Sequence, residues 1–266
     1  MYEKYFELSE HPFKTTPDPR FLWYSPQHKE AREKILYYVN HSMGPLCLFA
    51  DIGTGKTTLA RRIMEELRTD DTKHVVYAFS PKLTTTNSFL RFIMDEFNVP
   101  TQRSYAGSLR SFERFLKDKH DQRISPVLLI DESQNMSRDM LLLIQHLFNF
   151  STSTNFLLQM VLFSQPELKK KLKRLESLKS RMTPARLSAF TREQTEEMLK
   201  FRWQVANGKN FPFMKDAVDE IHRISAGVPR YIVKLANESL LQTVFSKKEK
   251  VTKSAVLLGA PEVTFD

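Results

Sequence analysis

A glycine-containing turn followed by a lysine and a threonine offers the clearest chemistry in this sequence. The string ADIGTGKTT runs from Ala50 to Thr58, after the apolar run Leu46–Phe49 and before a helical pattern that extends to Leu67. In a strand–turn–helix of this kind, the backbone N–H groups of the turn and the positive end of the helix face the phosphates of a nucleotide. The spacing therefore predicts a nucleoside-triphosphate site.

The residues of this turn have distinct expected roles. Lys56 is expected to reach the β- and γ-phosphates of ATP, and the hydroxyl of Thr57 to ligate Mg²⁺. Ala50 stands where the GxxxxGK[ST] pattern has its first glycine, a position that needs a small residue. The expected nucleotide-binding residues are Asp51, Ile52, Gly53, Thr54, Gly55, Lys56, Thr57 and Thr58.

A second candidate element is an apolar strand that ends in two carboxylates. Val127–Ile130 reads as a strand covered on both faces, and Asp131 and Glu132 follow it. Ligands of open α/β sheets bind at the carboxyl ends of the strands. We expect Asp131 to help hold Mg²⁺ and Glu132 to act as the general base on water. The alternative for the pair alone is a solvated acidic turn.

Three further polar residues are candidates for the same chemistry. Gln165 follows the apolar run Phe156–Phe163 and is placed to contact the γ-phosphate or orient water, although a simple strand-ending turn is an equal alternative. Transfer of a phosphoryl group also needs positive charge, often from an arginine. Arg181 and Arg230 are the candidates, and each alone also fits a solvated surface residue.

The elements that must position these residues alternate along the first part of the chain. This alternation predicts an α/β fold with a parallel sheet, and the helices that follow Ala189 predict a small helical lid. The expected domains are residues 1–190 and 191–266. The expected strands are Leu46–Phe49, His74–Phe79, Val127–Ile130, Phe156–Phe163 and Arg186–Ala189. The expected helices are Lys29–Val39, Thr57–Leu67, Ser88–Phe97, Ser108–Lys119, Arg138–Phe148, Arg192–Val205, Lys215–Ser225, Arg230–Val244 and Ser254–Leu258.

Composition narrows the class of protein. The apolar runs are far shorter than a membrane span, and the charged N-terminus does not resemble a signal peptide, so we expect a soluble, cytoplasmic protein. The single cysteine, Cys47, excludes a disulfide framework within one chain. The net charge of +9 favours a polyanionic partner, either nucleic acid or an acidic membrane surface.

Strings along nearly the whole chain resemble AAA+ ATPases of the ExeA/TniB/TnsC group. The group includes secretion-pathway ATPases and ATPases that regulate DNA transposition. PDPRFLW before the phosphate-binding turn and SQPEL after the acidic strand are more specific than the turn itself. The matching strings are His11–Ala31, the phosphate-binding turn, Leu128–Asn135, Leu158–Leu168, Leu178–Met182 and Ser225–Ile232.

The resemblance implies a role for each matching residue. Lys56 and Thr57 match the Walker A motif, and Asp131 and Glu132 match the Walker B motif. Gln165 matches the sensor 1 residue, Arg181 the arginine finger and Arg230 the sensor 2 arginine. Phe13, Tyr24 and His28 match a segment near the adenine, although an aromatic core is the alternative. The resemblance also implies a ring or helical filament in which the finger comes from the neighbouring subunit.

The resemblance leaves two main functions. We expect an ATP-dependent protein that oligomerises on duplex DNA and regulates transposition, with a transposase and target-selection proteins as partners. This interpretation rests on the basic charge and on the lack of the membrane helix that secretion members usually carry. The alternative is an ExeA-like ATPase that acts on a secretion or other protein complex. A small-molecule kinase fits the Walker A motif but not the arginine-bearing lid.

The residues expected to contact DNA, mostly basic, lie in loops that face the channel of such rings. The candidates are Lys82, Thr84, Arg103, Arg110 and Arg114. Arg110, Arg114 and Lys117 also fit one solvated helix face. The basic run Lys169–Arg174 either contacts DNA or forms a solvated helix.

Overall fold

The computed structural model describes residues 2–16, 18–79 and 85–263 of the chain. They form two compact units. One unit comprises the described parts of residues 1–27, 51–58 and 188–266, and the other comprises the described parts of residues 28–50 and 59–187. Lys82 and Thr84 lie outside the described residues. The expected division into residues 1–190 and 191–266 stays a prediction.

The second unit contains a five-stranded sheet in which every neighbouring pair is parallel. Its order is β2-β3-β4-β1-β5. This confirms the predicted α/β class with a parallel sheet. The strands are β1 (Leu46–Ala50), β2 (Lys73–Phe79), β3 (Ser125–Asp131), β4 (Gln159–Ser164) and β5 (Thr183–Leu187). Because all strands run the same way, the carboxyl ends of β1, β3 and β4 meet at one edge of the sheet.

Two strands begin about three residues away from their expected first residues. The fourth strand begins at Gln159, because Phe156 instead forms an isolated antiparallel bridge with Ser151. The fifth strand begins at Thr183 and ends at Leu187, so the expected Arg186–Ala189 was mostly wrong. Pro184 is tolerated there because β5 pairs only with β1 and forms an edge of the sheet.

The helices follow the expected order along the chain. The bounds are α1 (Tyr2–Tyr5), α2 (Pro26–Asn40), α3 (Lys56–Leu67), α4 (Thr86–Glu96), α5 (Tyr105–Asp121), α6 (Arg138–Leu147), α7 (Leu168–Leu172), α8 (Glu176–Arg181), α9 (Arg192–Val205), α10 (Lys215–Ser225), α11 (Pro229–Phe245) and α12 (Lys253–Gly259). The short α1 and α8 were not predicted, and α7 overlaps the basic run for which a solvated helix was one alternative.

The core of the sheet unit explains the apolar strand patterns. All five residues of β1 are buried, and so are the last six residues of β3. Alternate residues of these strands share one core cluster with apolar residues of α4, α5 and α6, such as Phe89, Phe112 and Ile144. A continuous apolar strand is the pattern of a sheet whose two faces are both covered.

The other unit joins the N-terminal segment to the C-terminal helices. The Tyr2 hydroxyl donates to Asn237 Oδ1 at 2.8 Å, and the rings of Phe13 and Phe213 pack edge to face at 5.7 Å. The half-buried Arg202 donates through its guanidinium to the carbonyls of Pro12 and Lys14. Its burial lowers its pKa to about 10, which still leaves it charged at neutral pH. Phe13 therefore belongs to an aromatic core in this unit.

Within the described residues, no helix combines the length and apolar character needed to cross a membrane.

Candidate nucleotide and hydrolysis site

The phosphate-binding turn is a well-defined loop between β1 and α3. Gly53 and Gly55 have φ values of +83° and +98°, a left-handed conformation that glycine adopts at low cost. The Thr54 hydroxyl donates to the carbonyl of Asp51 at 2.8 Å, and Thr54 is 1% exposed. The loop is thus shaped by its own residues, and its glycines let the backbone approach a phosphate closely.

Lys56 and Thr57 open α3, as the sequence predicted. The helix spans 12 residues, so its N-terminus carries the partial positive charge that favours phosphate. Lys56 is buried, with 5% of its surface exposed, and Thr57 is half-buried. Ala50 is the last residue of β1 and is buried. A small side chain therefore fits position 50. The glycine turn, with Lys56 and Thr57 at the start of α3, fits the phosphates of a nucleoside triphosphate.

Arg230 lies against the phosphate-binding loop within the same compact unit. Its backbone N–H donates to the carbonyl of Gly53 at 3.1 Å. A Cβ on Gly53 would come within 2.9 Å of the Arg230 Cβ and 3.0 Å of Val228 Cγ1. Pro229 starts α11 at this point. The start of α11 therefore lies against Gly53 of the phosphate-binding loop.

Asp131 and Glu132 lie at the end of β3 in very different surroundings. Asp131 is fully buried, and its Oδ1 accepts the backbone N–H of Glu132 at 2.8 Å. Glu132 is half-buried and has a φ of +53°, which turns the chain sharply after the strand. The hydroxyl of Ser133 donates to the carbonyl of Ile130 at 2.8 Å and stabilises that turn.

Tyr77 is a partner of Asp131 that the sequence analysis missed. Its hydroxyl, on the neighbouring β2, donates to Asp131 Oδ2 at 2.9 Å. Burial and the Asp131 carboxylate raise the pKa of Tyr77. The hydroxyl therefore stays protonated and remains a donor at neutral pH. Asp131 offers oxygen donors of the type that Mg²⁺ prefers, so the residue fits the expected metal.

Gln165 contacts Glu132 directly. Gln165 follows β4, and its Nε2 donates to Glu132 Oε2 at 3.1 Å. The side-chain amide of Gln134 donates to the same oxygen. The structure thus brings together the two residues that were expected to activate water, and it adds Gln134, which the sequence analysis did not single out.

The remaining candidates are exposed residues on or near helices of the sheet unit. Arg181 is exposed at the end of α8, and its Nη1 donates to Asn149 Oδ1 at 2.6 Å. Arg103, Arg110 and Arg114 are exposed on or just before α5.

The basic run Lys169–Arg174 is partly engaged in local contacts. Lys169 Nζ lies 4.9 Å from the centre of the Phe49 ring, and Lys171 donates to the carbonyls of Gln134 and Met136. At least these two of its charges therefore stabilise the fold.

The fold and these motifs define an ATPase of the AAA+ class. Residues 39–172 match the AAA domain family, and the chain belongs to that family. It is an ATP-hydrolysing enzyme with ATP as its substrate.

A named relative covers nearly the whole chain. The chain is 31% identical over 271 residues to General secretion pathway protein A of Aeromonas hydrophila, an alignment that covers 99% of this chain and 49% of that protein. The chain thus spans about half the length of the curated relative that it matches.

Solved structures share the fold at low identity. The Aeropyrum pernix ORC2 protein, in its ADPNP–ADP complexes, has a TM-score of 0.64 at 13% identity and covers 91% of this chain and 71% of its own. The Thermotoga maritima RuvB Holliday junction branch migration motor has a TM-score of 0.59 at 17% identity, covering 90% of this chain and 70% of its own. At these identities the similarity shows the fold alone.

Proposed function

We propose that this chain is the ATPase module of a protein that acts on a secretion-type protein complex. The observation that carries the proposal is the 31% identity to General secretion pathway protein A across 99% of this chain. The chain spans only 49% of that relative, so the activity of the whole relative is a proposal for this chain. The transposition role that the sequence first suggested becomes the second candidate.

The proposed reaction uses residues from both motifs. The N–H groups of the phosphate-binding loop and Lys56 bind the phosphates, and Glu132 accepts the proton of the attacking water. Thr57 and Asp131 would hold Mg²⁺, which supplies charge stabilisation at the transferring phosphoryl group. Gln165 positions Glu132 and the water through the contact described above.

The two arginines complete the proposed site. Arg230 is the proposed sensor of the bound nucleotide, supported by the contact of its backbone with Gly53. Arg181 is the proposed finger, and it is exposed at the end of α8. An exposed arginine is what a site completed by a neighbouring subunit requires. ATP would then favour a ring or filament, and hydrolysis would release it.

The second candidate is an oligomer that assembles on duplex DNA and recruits a transposase. It is supported by the net charge of +9 and by the exposed arginines Arg103, Arg110 and Arg114. The RuvB neighbour is a Holliday junction branch migration motor, although it shares only 17% identity with this chain. Contacts to phosphates would give this candidate strongly salt-dependent affinity.

Sedimentation velocity separates the two candidates. The chain is studied with ADP, ATP and a non-hydrolysable ATP analogue, with and without duplex DNA, at two salt concentrations. The secretion-type proposal predicts nucleotide-dependent assembly that duplex DNA does not change. Assembly that requires DNA and weakens with salt would overturn it in favour of the second candidate.

A further inference from the structure

The side-chain amide of Gln134 joins the two candidate catalytic elements. Its Nε2 donates to Glu132 Oε2. Its Oε1 accepts the backbone N–H of Gln165 at 3.0 Å and the hydroxyl of Ser164 at 3.4 Å. The Gln134 amide thus donates to Glu132, which follows β3, and accepts from residues at the end of β4.

The backbone that carries Gln134 is itself held in place. Gln134 lies in a short 3₁₀ turn, Ser133–Asn135. Lys171, on α7, donates to the carbonyl of Gln134 at 2.6 Å and to that of Met136 at 2.8 Å. A side chain on an anchored turn presents its amide in a fixed geometry, which is what positioning of a reacting group requires.

We propose that Gln134 is a positioning residue that orients the Glu132 carboxylate relative to Gln165 for attack of water on ATP. The proposal rests on the proposed role of Glu132 as general base. An N–H donor on a carboxylate oxygen restricts the side-chain torsions and so holds the carboxylate in one orientation. Gln134 and Gln165 both donate to Glu132 Oε2. The carboxylate is therefore held by the turn after β3 and by the residue after β4.

The donor and acceptor roles of Gln134 are separable by one nearly isosteric change. Gln134→Glu keeps an oxygen acceptor for the Gln165 N–H and the Ser164 hydroxyl. It removes the amide donor and places a second carboxylate beside Glu132. Gln134→Met also removes the donor but adds no charge, so the lost donor to Glu132 is the change that the two variants share.

The test compares five forms of the full chain: wild type, Gln134→Glu, Gln134→Met, Glu132→Gln and the control Gln145→Glu. Gln145 lies on α6 and contacts only Ser177 in its described hydrogen bonds, at 3.4 Å, so it controls for the same chemical change outside the site. The measurements are ATP affinity with a fluorescent analogue, thermal unfolding, and kcat and KM for phosphate release.

Gln134→Glu is expected to lower kcat by roughly 10- to 100-fold with ATP affinity changed less than about twofold. Gln134→Met is expected to show the same loss of kcat, again with ATP affinity changed less than about twofold. The control is expected to match the wild type.

The outcomes distinguish this inference from the proposed function. If Glu132→Gln is inactive and Gln134→Glu turns over like the wild type, the positioning role is wrong and the proposed function stands. A loss of kcat in Gln134→Glu but not in Gln134→Met also overturns it, because the added charge alone would then explain the loss. Full turnover by Glu132→Gln overturns both proposals.

Discussion

At the residue scale, the two carboxylates after β3 differ because their surroundings differ. Asp131 is fully buried and held by the Tyr77 hydroxyl and a backbone N–H. Glu132 is half-buried, follows the strand in a left-handed conformation and is contacted by side-chain amides. Neighbouring acids in different environments commonly take different roles. The surroundings fit a metal-orienting role for Asp131 and a reacting role for Glu132.

Tyr77→Phe is expected to raise the Mg²⁺ concentration needed for half-maximal ATP hydrolysis by about tenfold, because it removes a hydrogen bond that orients the Asp131 carboxylate. The Mg²⁺ dependence of phosphate release measures this effect. Tyr37→Phe is the control, since Tyr37 is 52% exposed on α2. An unchanged Mg²⁺ dependence in Tyr77→Phe would show that its hydroxyl does not support metal binding.

Gly53→Ala is expected to weaken ATP binding by about tenfold. The left-handed conformation at Gly53 strains any residue with a Cβ, by about 1–2 kcal/mol. The added carbon would also meet Arg230 and Val228. Equilibrium binding of a fluorescent nucleotide measures the effect. Gly107→Ala, at a helical glycine without a positive φ, is expected to bind normally. Equal nucleotide affinity in Gly53→Ala and Gly107→Ala would show that the left-handed conformation at Gly53 does not contribute to ATP binding.

At the element scale, helix caps offer a direct test of local stability. The Thr191 side chain accepts the backbone N–H of Gln194 at 3.2 Å, and the Gln194 side chain accepts that of Thr191 at 3.1 Å. This reciprocal pair stabilises the start of α9. Thr191→Ala is expected to lower the free energy of unfolding by about 1 kcal/mol, measured by denaturant titration.

Thr252→Ala is the matched control for this change. Thr252 occupies the same position before α12, but its side chain makes no capping hydrogen bond. The control is expected to lose clearly less stability than Thr191→Ala. Equal losses in the two variants would mean that the cap geometry of α9 contributes nothing.

The sequence predicted the elements best where burial is uniform. β1 and β3 carry continuous apolar runs because they are covered on both faces, and such runs are visible without a structure. The edge strand β5 alternates buried and exposed residues over only five positions and contains Pro184, so its pattern was weak and its position was misjudged. The sequence predicted too early a start for β4. The apolar residues Leu157 and Leu158 precede the strand and are buried without belonging to it.

The site residues were predicted where spacing along the chain defines them. The phosphate-binding turn and the Asp131–Glu132 pair are short strings whose chemistry follows from local sequence. Tyr77 and Gln134 were missed because their roles depend on which strands are neighbours. The pairing of β2 with β3 and of β3 with β4 places them, and strand order is not visible in the local sequence. Gln134 did lie within the string that carried the resemblance.

At the scale of the whole molecule, the net charge of +9 raises the question of a polyanionic partner. Charge reversal of Arg103, Arg110 and Arg114 tests whether α5 carries that function. Under the DNA-binding candidate, the triple change to glutamate is expected to weaken duplex binding at least tenfold and to flatten its salt dependence. Fluorescence anisotropy with labelled duplex DNA measures both.

The same change at Lys247, Lys248 and Lys250 is the control, because it alters the net charge equally at three exposed residues after α11. Under the DNA-binding candidate, the control retains most of its affinity. Equal losses in the two triple variants would indicate a general charge effect. No measurable affinity of the wild type for duplex DNA would remove the candidate and agree with the secretion-type proposal.

The central claim is that this chain hydrolyses ATP with Lys56 as phosphate ligand and Glu132 as general base. The most direct measurement is ATP binding and phosphate release in parallel for the wild type, Lys56→Ala and Glu132→Gln. The account predicts that Lys56→Ala loses both activities and that Glu132→Gln binds ATP but releases phosphate at least 100-fold more slowly. Normal binding by Lys56→Ala, or wild-type turnover by Glu132→Gln, would contradict it.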